Sequence, residues 1–200
     1  MKGLLLLMLL CASVLKVAIA EVQPDTESAY TESRPVMEHS GEAIAVTDFD
    51  VDRLMGKWYE ISRLPSYFAK HCQAPIIIEY THEGNTIHMQ NSCATVSGEK
   101  ITNEGIVYLN DNNLNGDGKL VGTSMPIWLR WLHLGRNDYW VLFSSNLYLM
   151  VGTPDHKYLW IFSRDESPSL KDIQSLITQA KQQGFAIENL IFNYPSYYAE

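Results

Sequence analysis

The sequence predicts an all-β protein: an eight-stranded, antiparallel, up-and-down barrel with one C-terminal α-helix and a short last strand. Two observations carry this prediction. From Asp48 onward the 200-residue chain breaks into short apolar runs separated by turn-forming residues, a pattern typical of all-β proteins. Near the C-terminus the apolar spacing changes once, to the period of a helix. Eight antiparallel strands can close into a barrel with room for one small ligand.

The strand-like runs have the lengths expected for a barrel, and hairpin signals separate some of them. Glu83-Gly84-Asn85 and Asn115-Gly116 are typical of tight turns because Gly and Asn tolerate positive φ. The predicted strands, in chain order, are Gly56–Arg63, Ala74–His82, Thr86–Ser92, Ile101–Leu109, Lys119–Ser124, Asp138–Ser144, Leu147–Gly152 and Lys157–Ser163.

The helix is predicted from apolar residues that recur at helical spacing, namely Leu170, Ile173, Leu176, Ile177 and Ala180. Ser167 or Ser169 can cap its first turn, and Gly184 stands where a helix C-terminus is expected. The helix should lie against the outside of the barrel. The segment Phe185–Asn193 is then predicted to form one further strand.

The N-terminal residues are predicted to lie outside the fold. Residues 1–20 resemble a signal peptide, with Lys2, an apolar run from Leu4 to Leu15 and a small-residue cleavage site at residues 18–20. The run is short for a membrane span. Cys11 is the one candidate for lipid attachment, but Leu10 precedes it where a small residue is preferred. The sequence therefore predicts an exported protein cut after Ala20.

The remaining chain divides into two parts. Residues 21–46 are polar and acidic without clear periodicity, so they are predicted to form a flexible lead. Residues 47–195 form the predicted barrel domain. The formal net charge is −8, and the sequence has no basic stripe. These features exclude a nucleic-acid partner and argue against electrostatic attraction to anionic lipid head groups.

Two distant fragments carry a family resemblance. Gly56-Lys57-Trp58-Tyr59-Glu60-Ile61 and the late Tyr158-Leu159-Trp160-Ile161-Phe162-Ser163-Arg164 resemble the two ends of a lipocalin barrel. Two middle fragments, Asn137–Val141 and Tyr148–Gly152, agree with it. The resemblance covers residues 46–195 and is strongest to the bacterial outer-membrane lipoprotein and apolipoprotein D-like branch. It implies that Trp58 plugs the closed end of the barrel, with Arg164 across its face as a structural pair.

The two cysteines of the predicted mature chain are expected to form one disulfide, as exported proteins favour. In a lipocalin barrel Cys72 would lie in the loop between the first two strands, and Cys93 would follow the third strand. Both positions then fall at the open end. Two unpaired thiols, or a redox thiol, are the alternatives, although no base or Cys-x-x-Cys motif supports the latter.

The resemblance also implies a ligand cup inside the barrel. Side chains alternate along a strand, so one parity faces the cup. The candidate contacts are apolar with a few phenols, as an apolar ligand requires, and some of them must only fill the barrel floor. They are Phe68, Ile76, Ile78, Tyr80, Met89, Val107, Tyr139, Val141, Leu149, Val151, Tyr158 and Trp160.

The link between the fifth and sixth predicted strands is unusually apolar. Residues 126–134 contain Trp128, Trp131 and four aliphatic side chains, more than an ordinary exposed loop carries. At the open end of the barrel they would form a lid, a homodimer patch or a rim that touches membrane lipid. Phe68 is placed to join them.

Signals for other chemistry are weak. The His residues lack metal-site spacing, and no nucleophile elbow or phosphate-binding loop is present. Glu60 and Glu79 are isolated strand carboxylates. The segment 111–116 resembles half of a calcium loop, but Gly122 stands where the last ligand should be. The sequence predicts no metal, no cofactor and no catalytic residue.

The sequence thus predicts an exported carrier that binds a fatty acid or lysophospholipid and handles membrane lipid. The periplasm is the expected location, with outer-membrane association or secretion as alternatives. Two other functional classes stay open: a lipocalin-fold enzyme acting on an apolar substrate, and a surface or host interaction protein.

Overall fold

The computed structural model describes residues 41–66, 69–83, 86–109, 116–132 and 135–194. The chain divides into two compact units, residues 1–36 and 37–200, and every described residue belongs to the second. The predicted signal peptide, most of the acidic lead, Phe68, the hairpin at 84–85 and residues 111–115 lie outside the described residues. Across the described ranges, no helix combines the length and the apolar content needed to cross a bilayer.

The described residues form nine strands, one α-helix and three 3-10 turns. The strands are β1 (Gly56–Arg63), β2 (Gln73–Glu83), β3 (Thr86–Ala94), β4 (Lys100–Leu109), β5 (Lys119–Thr123), β6 (Arg136–Ser144), β7 (Tyr148–Gly152), β8 (Leu159–Ser163) and β9 (Ile191–Phe192). The helix is α1 (Leu170–Gln182), and the 3-10 turns are Val51–Leu54, Ile127–Leu132 and Ile187–Asn189.

Strands β1 to β8 close into the predicted barrel. Each strand pairs antiparallel with its neighbour in the chain, and β1 pairs with both β2 and β8. The pairing of β1 with β2 ends at Tyr59, and β9 then pairs with Ser62 and Arg63 of β1. The eight-stranded antiparallel barrel, the helix and the short last strand are confirmed.

The two ends of the barrel differ, and we call them the floor and the mouth. The floor is the end where β1 begins, beneath which the Val51–Leu54 turn packs. The mouth is the end that holds the β1–β2, β3–β4, β5–β6 and β7–β8 connections. Because up-and-down strands alternate in direction, every second connection returns to the same end.

Alternating side chains give the barrel wall two apolar faces. One face packs inside the barrel around Trp58, and it includes Leu54, Ile78, Tyr80, Ile87, Val107, Leu120, Val141, Leu149, Val151 and Phe162. The opposite face packs against α1 on the outside through Ile61, Trp140, Leu142, Met150, Leu159 and Ile161, which meet Ile173, Leu176 and Ala180 of the helix. The helix therefore covers one side of the wall, as the sequence predicts.

The chain after the helix differs from the prediction. Ser169 occupies the N-cap position, and Gly184 with φ +95° follows the helix, where a left-handed turn is needed. The predicted nine-residue strand Phe185–Asn193 is wrong, because a 3-10 turn occupies Ile187–Asn189 and only Ile191–Phe192 pair. The free edge of β1 beyond Tyr59 is short, so it can accept only a short strand.

The predicted disulfide is confirmed. Cys72 and Cys93 are bonded, with their Cα atoms 5.5 Å apart. Cys72 directly precedes β2 and Cys93 lies near the end of β3, so the bond ties two connections together at the mouth.

Candidate functional site

The floor is closed by Trp58 and Arg164. Trp58 is fully buried, and its indole Nε1 donates a 2.8 Å hydrogen bond to the carbonyl of Leu54 in the turn below. The guanidinium carbon of Arg164 lies 3.5 Å from the centroid of the Trp58 ring. This is the cation–π contact that the family resemblance implies, and its position gives it a structural role.

Arg164 also binds the backbone that leads into β1. Its Nη1 donates to the carbonyl of Lys57 at 2.7 Å, and its Nη2 donates to the carbonyls of Arg53 and Met55 at 3.0 and 2.6 Å. Gly56 lies among these residues with φ +87°, and a Cβ there would stand 3.3 Å from Nη1 of Arg164. Glycine is therefore required at this position both for its backbone conformation and for the close guanidinium.

Two tyrosines bridge the inside of the barrel above the floor. The hydroxyl of Tyr80 on β2 hydrogen-bonds the hydroxyl of Tyr139 on β6. In the closed strand order β2 and β6 are four strands apart in either direction, so they stand on opposite walls. We call this pair the phenol bridge.

Both phenols of the bridge are held in their neutral form. Burial raises the pKa of Tyr80 well above its ordinary value, and the interaction with Tyr139 raises it further. Burial also raises the pKa of Tyr139; the hydrogen bond with Tyr80 opposes this shift, and the nearby charge of Glu60 adds to it. At neutral pH the bridge is therefore uncharged and each oxygen carries its proton.

Burial is graded between the floor and the mouth. Trp58, Val107, Leu120 and Leu149 are sealed from solvent. Seven residues that pack on the same inner cluster are only partly buried: Val46, Phe49, Val51 and Met55 belong to the segment that precedes β1, and Met89, Tyr139 and Trp160 belong to the barrel wall. The upper part of the interior is therefore reachable from the mouth, and it forms the candidate cup.

Aromatic rings line one wall of this cup. The ring of Trp160 lies 6.0 Å from that of Tyr139 and 5.9 Å from that of Tyr158, measured between centroids. Tyr158 is 40% exposed and precedes β8 at the mouth. The three rings thus form a continuous path from the mouth to the phenol bridge.

The structure brings most of the predicted ligand contacts together. Six of them belong to the sealed inner cluster: Ile78, Tyr80, Val107, Val141, Leu149 and Val151. Met89, Tyr139 and Trp160 line the cup, Ile76 is buried on β2, and Tyr158 stands at the mouth. Phe68 lies outside the described residues. The contact of these residues with a ligand stays a prediction.

The sequence analysis missed a charged network beside the cup. Arg63 Nη1 donates to Glu60 Oε1 at 2.7 Å, and both side chains are only 7% exposed. Asn193 Nδ2 donates to the same carboxylate oxygen at 3.0 Å, and Arg63 also donates to Asn193 Oδ1 and to the carbonyl of Ala69. Glu60 is therefore not the isolated carboxylate that the sequence suggested.

The pairing of β1 with β8 places the charged network on the inner face of the barrel wall. Glu60 is paired with Phe162, which belongs to the inner cluster, and Arg63 is paired with Trp160. The register shifts between Glu60 and Ser62, and this irregularity puts both charged residues on one face. Burial raises the pKa of Glu60, and the Arg63 charge with the hydrogen bonds from Asn193 and Arg63 opposes that rise.

The upper lining is also more polar than expected. The register pairs Asn91 with Ile78 and with Asn103, and it pairs Asn137 with Gly122. Directly paired residues share a face of the sheet, so these amides lie on the inner parity near the mouth. A cup with an apolar wall, amides and neutral phenols suits an amphiphile better than a pure hydrocarbon.

The mouth displays exposed apolar side chains on three of its connections. Trp128 in the 3-10 turn of the β5–β6 connection is 69% exposed, and Val96, Leu132 and Tyr158 are also exposed. The side chain of Trp131 lies outside what the structure describes. Of the apolar rim predicted from residues 126–134, Trp128 and Leu132 are exposed at the mouth, and its role stays a prediction.

Charge is unevenly placed relative to this rim. In the described part of the four mouth connections and the adjoining strand starts, the cations are Lys70, Lys100, Arg136 and Lys157, and the acids are Glu99, Asp138 and Asp155. The whole chain nevertheless has a net charge of −8. The acidic charge of the chain is therefore not concentrated at the mouth, where cations slightly outnumber acids.

The ionisable residues do not gather into a metal site within the described ranges, since no group of three His, Cys, Asp or Glu side chains comes together there. The histidines of the floor half instead form exposed pairs. His82 Nε2 lies 3.3 Å from an Asp52 oxygen, and His88 Nε2 lies 2.6 Å from a Glu83 oxygen.

Comparison with known proteins agrees with this architecture. Residues 49–195 match the family model described as a lipocalin-like domain. The chain is 30% identical over 157 residues to temperature-induced lipocalin-1 of Arabidopsis thaliana, which covers 77% of this chain and 83% of the relative. It is 26% identical over 151 residues to the outer membrane lipoprotein Blc of Vibrio cholerae, covering 74% and 83%.

Solved structures give the same fold. Insecticyanin from the tobacco hornworm Manduca sexta matches with a TM-score of 0.60 and 22% identity, over 79% of this chain and 87% of that one. Lobster apocrustacyanin A1 matches with a TM-score of 0.54 and 13% identity, over 75% and 89%. With the family model spanning the whole barrel, these matches establish that the chain belongs to the lipocalin-like family.

Proposed function

We propose that this protein is a carrier that holds one small apolar ligand between the phenol bridge and the mouth. The observation that carries the proposal is the graded burial of a closed barrel. In the floor half the side chains around Trp58 are fully buried, while Met89, Tyr139 and Trp160 below the open mouth are only partly buried. A cup of this kind excludes water from a ligand on all sides but one.

The ligand class that we propose is a fatty acid or a lysophospholipid. Each methylene moved from water into the cup would contribute about 0.8 kcal/mol, so an acyl chain can supply the affinity without many polar contacts. The charged head of such an amphiphile would stay at the mouth. There the cations Lys100 and Arg136 begin β4 and β6.

We propose further that the mouth touches a membrane while the ligand enters or leaves. Trp128, Leu132, Val96 and Tyr158 offer apolar groups that can enter the interfacial region of a bilayer, and indole rings favour that region. The slight excess of cations around them, with Lys70, Lys100 and Arg136 outside the Lys157–Asp155 ion pair, favours anionic head groups. Export, with the periplasm as the expected compartment, is consistent with the similarity to a relative named as an outer membrane lipoprotein.

Native mass spectrometry tests the carrier function directly. The protein lacking residues 1–20 would be purified without detergent, and its cargo would be extracted into organic solvent and identified. One fatty acid or lysophospholipid per barrel is the expected result. An empty barrel whose tryptophan fluorescence also fails to respond to added palmitate or lysophosphatidylcholine would refute the proposal.

Transfer from vesicles tests the membrane contact separately. Trp128→Ser combined with Trp131→Ser should slow the transfer of palmitate from vesicles and leave the affinity for monomeric palmitate unchanged. Leu147→Ser is a matched control, because Leu147 is 58% exposed but lies in the β6–β7 connection at the floor.

Vesicles with 20–30% anionic lipid should donate faster than neutral vesicles at low salt. Equal transfer by all variants would refute the contact.

A further inference from the structure

The phenol bridge leaves hydrogen-bonding capacity unused at the bottom of the cup. A phenol donates one hydrogen bond and can accept others. Tyr80 and Tyr139 satisfy only one of their two protons by bonding to each other, and neither hydroxyl has a second partner among the described residues. One O–H and several lone pairs therefore remain available.

This capacity is accessible from the cup. Tyr80 is fully buried, whereas Tyr139 is only partly buried. The ring of Tyr139 faces Trp160, which is the aromatic wall that leads up to the mouth. A ligand that follows this wall downward would meet the hydroxyl of Tyr139 before it met the sealed residues around Trp58.

The surroundings of the bridge select against a charged group. Glu60 lies close enough to Tyr139 for its charge to act on the phenol, and Arg63 is already engaged by Glu60, Asn193 and Ala69. A carboxylate at the bridge would thus face a buried negative charge whose counter-ion is already paired. A neutral oxygen would meet a spare donor and a spare acceptor instead.

We propose that the phenol bridge is a recognition site for a ligand whose buried end carries a neutral oxygen group, a hydroxyl or a carbonyl. The proposal rests on the carrier function argued above and makes the ligand class more specific. A plain acyl chain would fill the same cup but would leave the spare hydroxyl proton unmatched. An ω-oxygenated chain satisfies it, and the hydrogen bond it forms offsets the cost of removing its own oxygen from water.

Matched ligands and matched variants test the proposal. Palmitic acid and 16-hydroxypalmitic acid differ only in a hydroxyl at the end remote from the carboxylate, and hexadecanedioic acid puts a charge there. Their affinities would be measured by calorimetry for the wild type, Tyr80→Phe, Tyr139→Phe and Tyr59→Phe. Tyr59→Phe is the control, because it makes the same chemical change on the outer face of the wall, where the Tyr59 hydroxyl accepts a hydrogen bond from Lys57 Nζ.

The wild type should bind 16-hydroxypalmitate at least as tightly as palmitate, and the diacid more weakly than either. In Tyr139→Phe the ratio of hydroxypalmitate to palmitate affinity should fall about tenfold, as the loss of one hydrogen bond to a buried hydroxyl implies. Tyr80→Phe should act in the same direction, and Tyr59→Phe should leave the ratio unchanged. Melting curves would show that each variant is folded.

Three results would overturn the proposal, and they differ. If palmitate binds but the affinity ratio is the same in all four proteins, the bridge is only a structural tie between opposite walls, while the carrier function stands. If neither the three acids nor lysophosphatidylcholine binds to the wild type, the carrier function fails, and the recognition site fails with it. A preference for the diacid would show that the bridge recognises an anion instead.

Discussion

Arg164 is held over Trp58 by the backbone of the segment that precedes Trp58 in the chain. Its guanidinium lies 3.5 Å from the ring centroid and donates to three carbonyls between residues 53 and 57. The end of β8 thereby fixes the start of β1, more than 100 residues away in the chain. This contact joins the first and last strands of the barrel at the floor.

The first prediction concerns this contact. Arg164→Lys should lower the free energy of unfolding by about 2 kcal/mol, because an ammonium cannot reach three carbonyls and stack on an indole at once. Urea denaturation would measure the change. Arg53→Lys is the control, since Arg53 forms only an exposed 3.6 Å pair with Asp50 and should change stability by less than about 0.5 kcal/mol. Equal effects would contradict the assignment.

The second prediction concerns the room inside the cup. A Cβ on Gly122 would meet only the Cβ of Tyr139, at 3.8 Å, so the backbone accepts a side chain there, and Gly122→Leu should fill part of the cup and displace ligand. The affinity for palmitate should fall at least tenfold. Val121→Leu adds bulk to the opposite face of β5 and should bind normally. Undiminished binding by Gly122→Leu would place the ligand elsewhere.

The third prediction concerns the disulfide. Cys72→Ala combined with Cys93→Ala should destabilise the protein by roughly 3 kcal/mol, because the bond closes a loop with a sequence separation of 21 in the unfolded chain. Either single substitution should cost about as much as the double, since each removes the same bond. Thermal melts with and without reductant would check this. Additive single effects would mean that the side chains matter more than the bond.

The fourth prediction concerns alkaline pH. Burial raises the pKa of Tyr80 and Tyr139 above their unfolded value of about 10. The contribution of the two neutral phenols to the free energy of unfolding is therefore fully present below about pH 10. Above that pH it decreases, by up to about 1.4 kcal/mol per pH unit for each phenol. Urea titrations from pH 8 to 11 would measure this slope.

Tyr80→Phe combined with Tyr139→Phe should remove most of that alkaline slope. Tyrosinate absorbance near 295 nm gives an independent readout, because the two phenols of the wild type should ionise only as the protein unfolds. A slope that persists in the double variant would assign the alkaline sensitivity to other groups.

Part of the site could be predicted from the sequence because it depends on local pattern. Alternation groups Ile78 with Tyr80 on β2 and Tyr139 with Val141 on β6, and the family resemblance indicated that this parity faces inward; all four do lie inside the barrel. The extent of the last strand could not be predicted in this way. Phe185–Asn193 has strand-like composition, but only two of its residues find a free edge on β1.

The sequence by itself determines the strand number, the antiparallel order, the outside helix and the face of most side chains. These features depend on hydrophobic periodicity and turn residues, which involve only residues close together in the chain. The tertiary structure alone decided which inward residues meet. Tyr80 finds Tyr139 59 residues away, and Asn193 reaches Glu60 across 133 residues. Such contacts depend on strand stagger, on the register shift after Glu60 and on closure of the barrel. The periodicity of side chains along one strand contains no information about the distance across the barrel to a different strand.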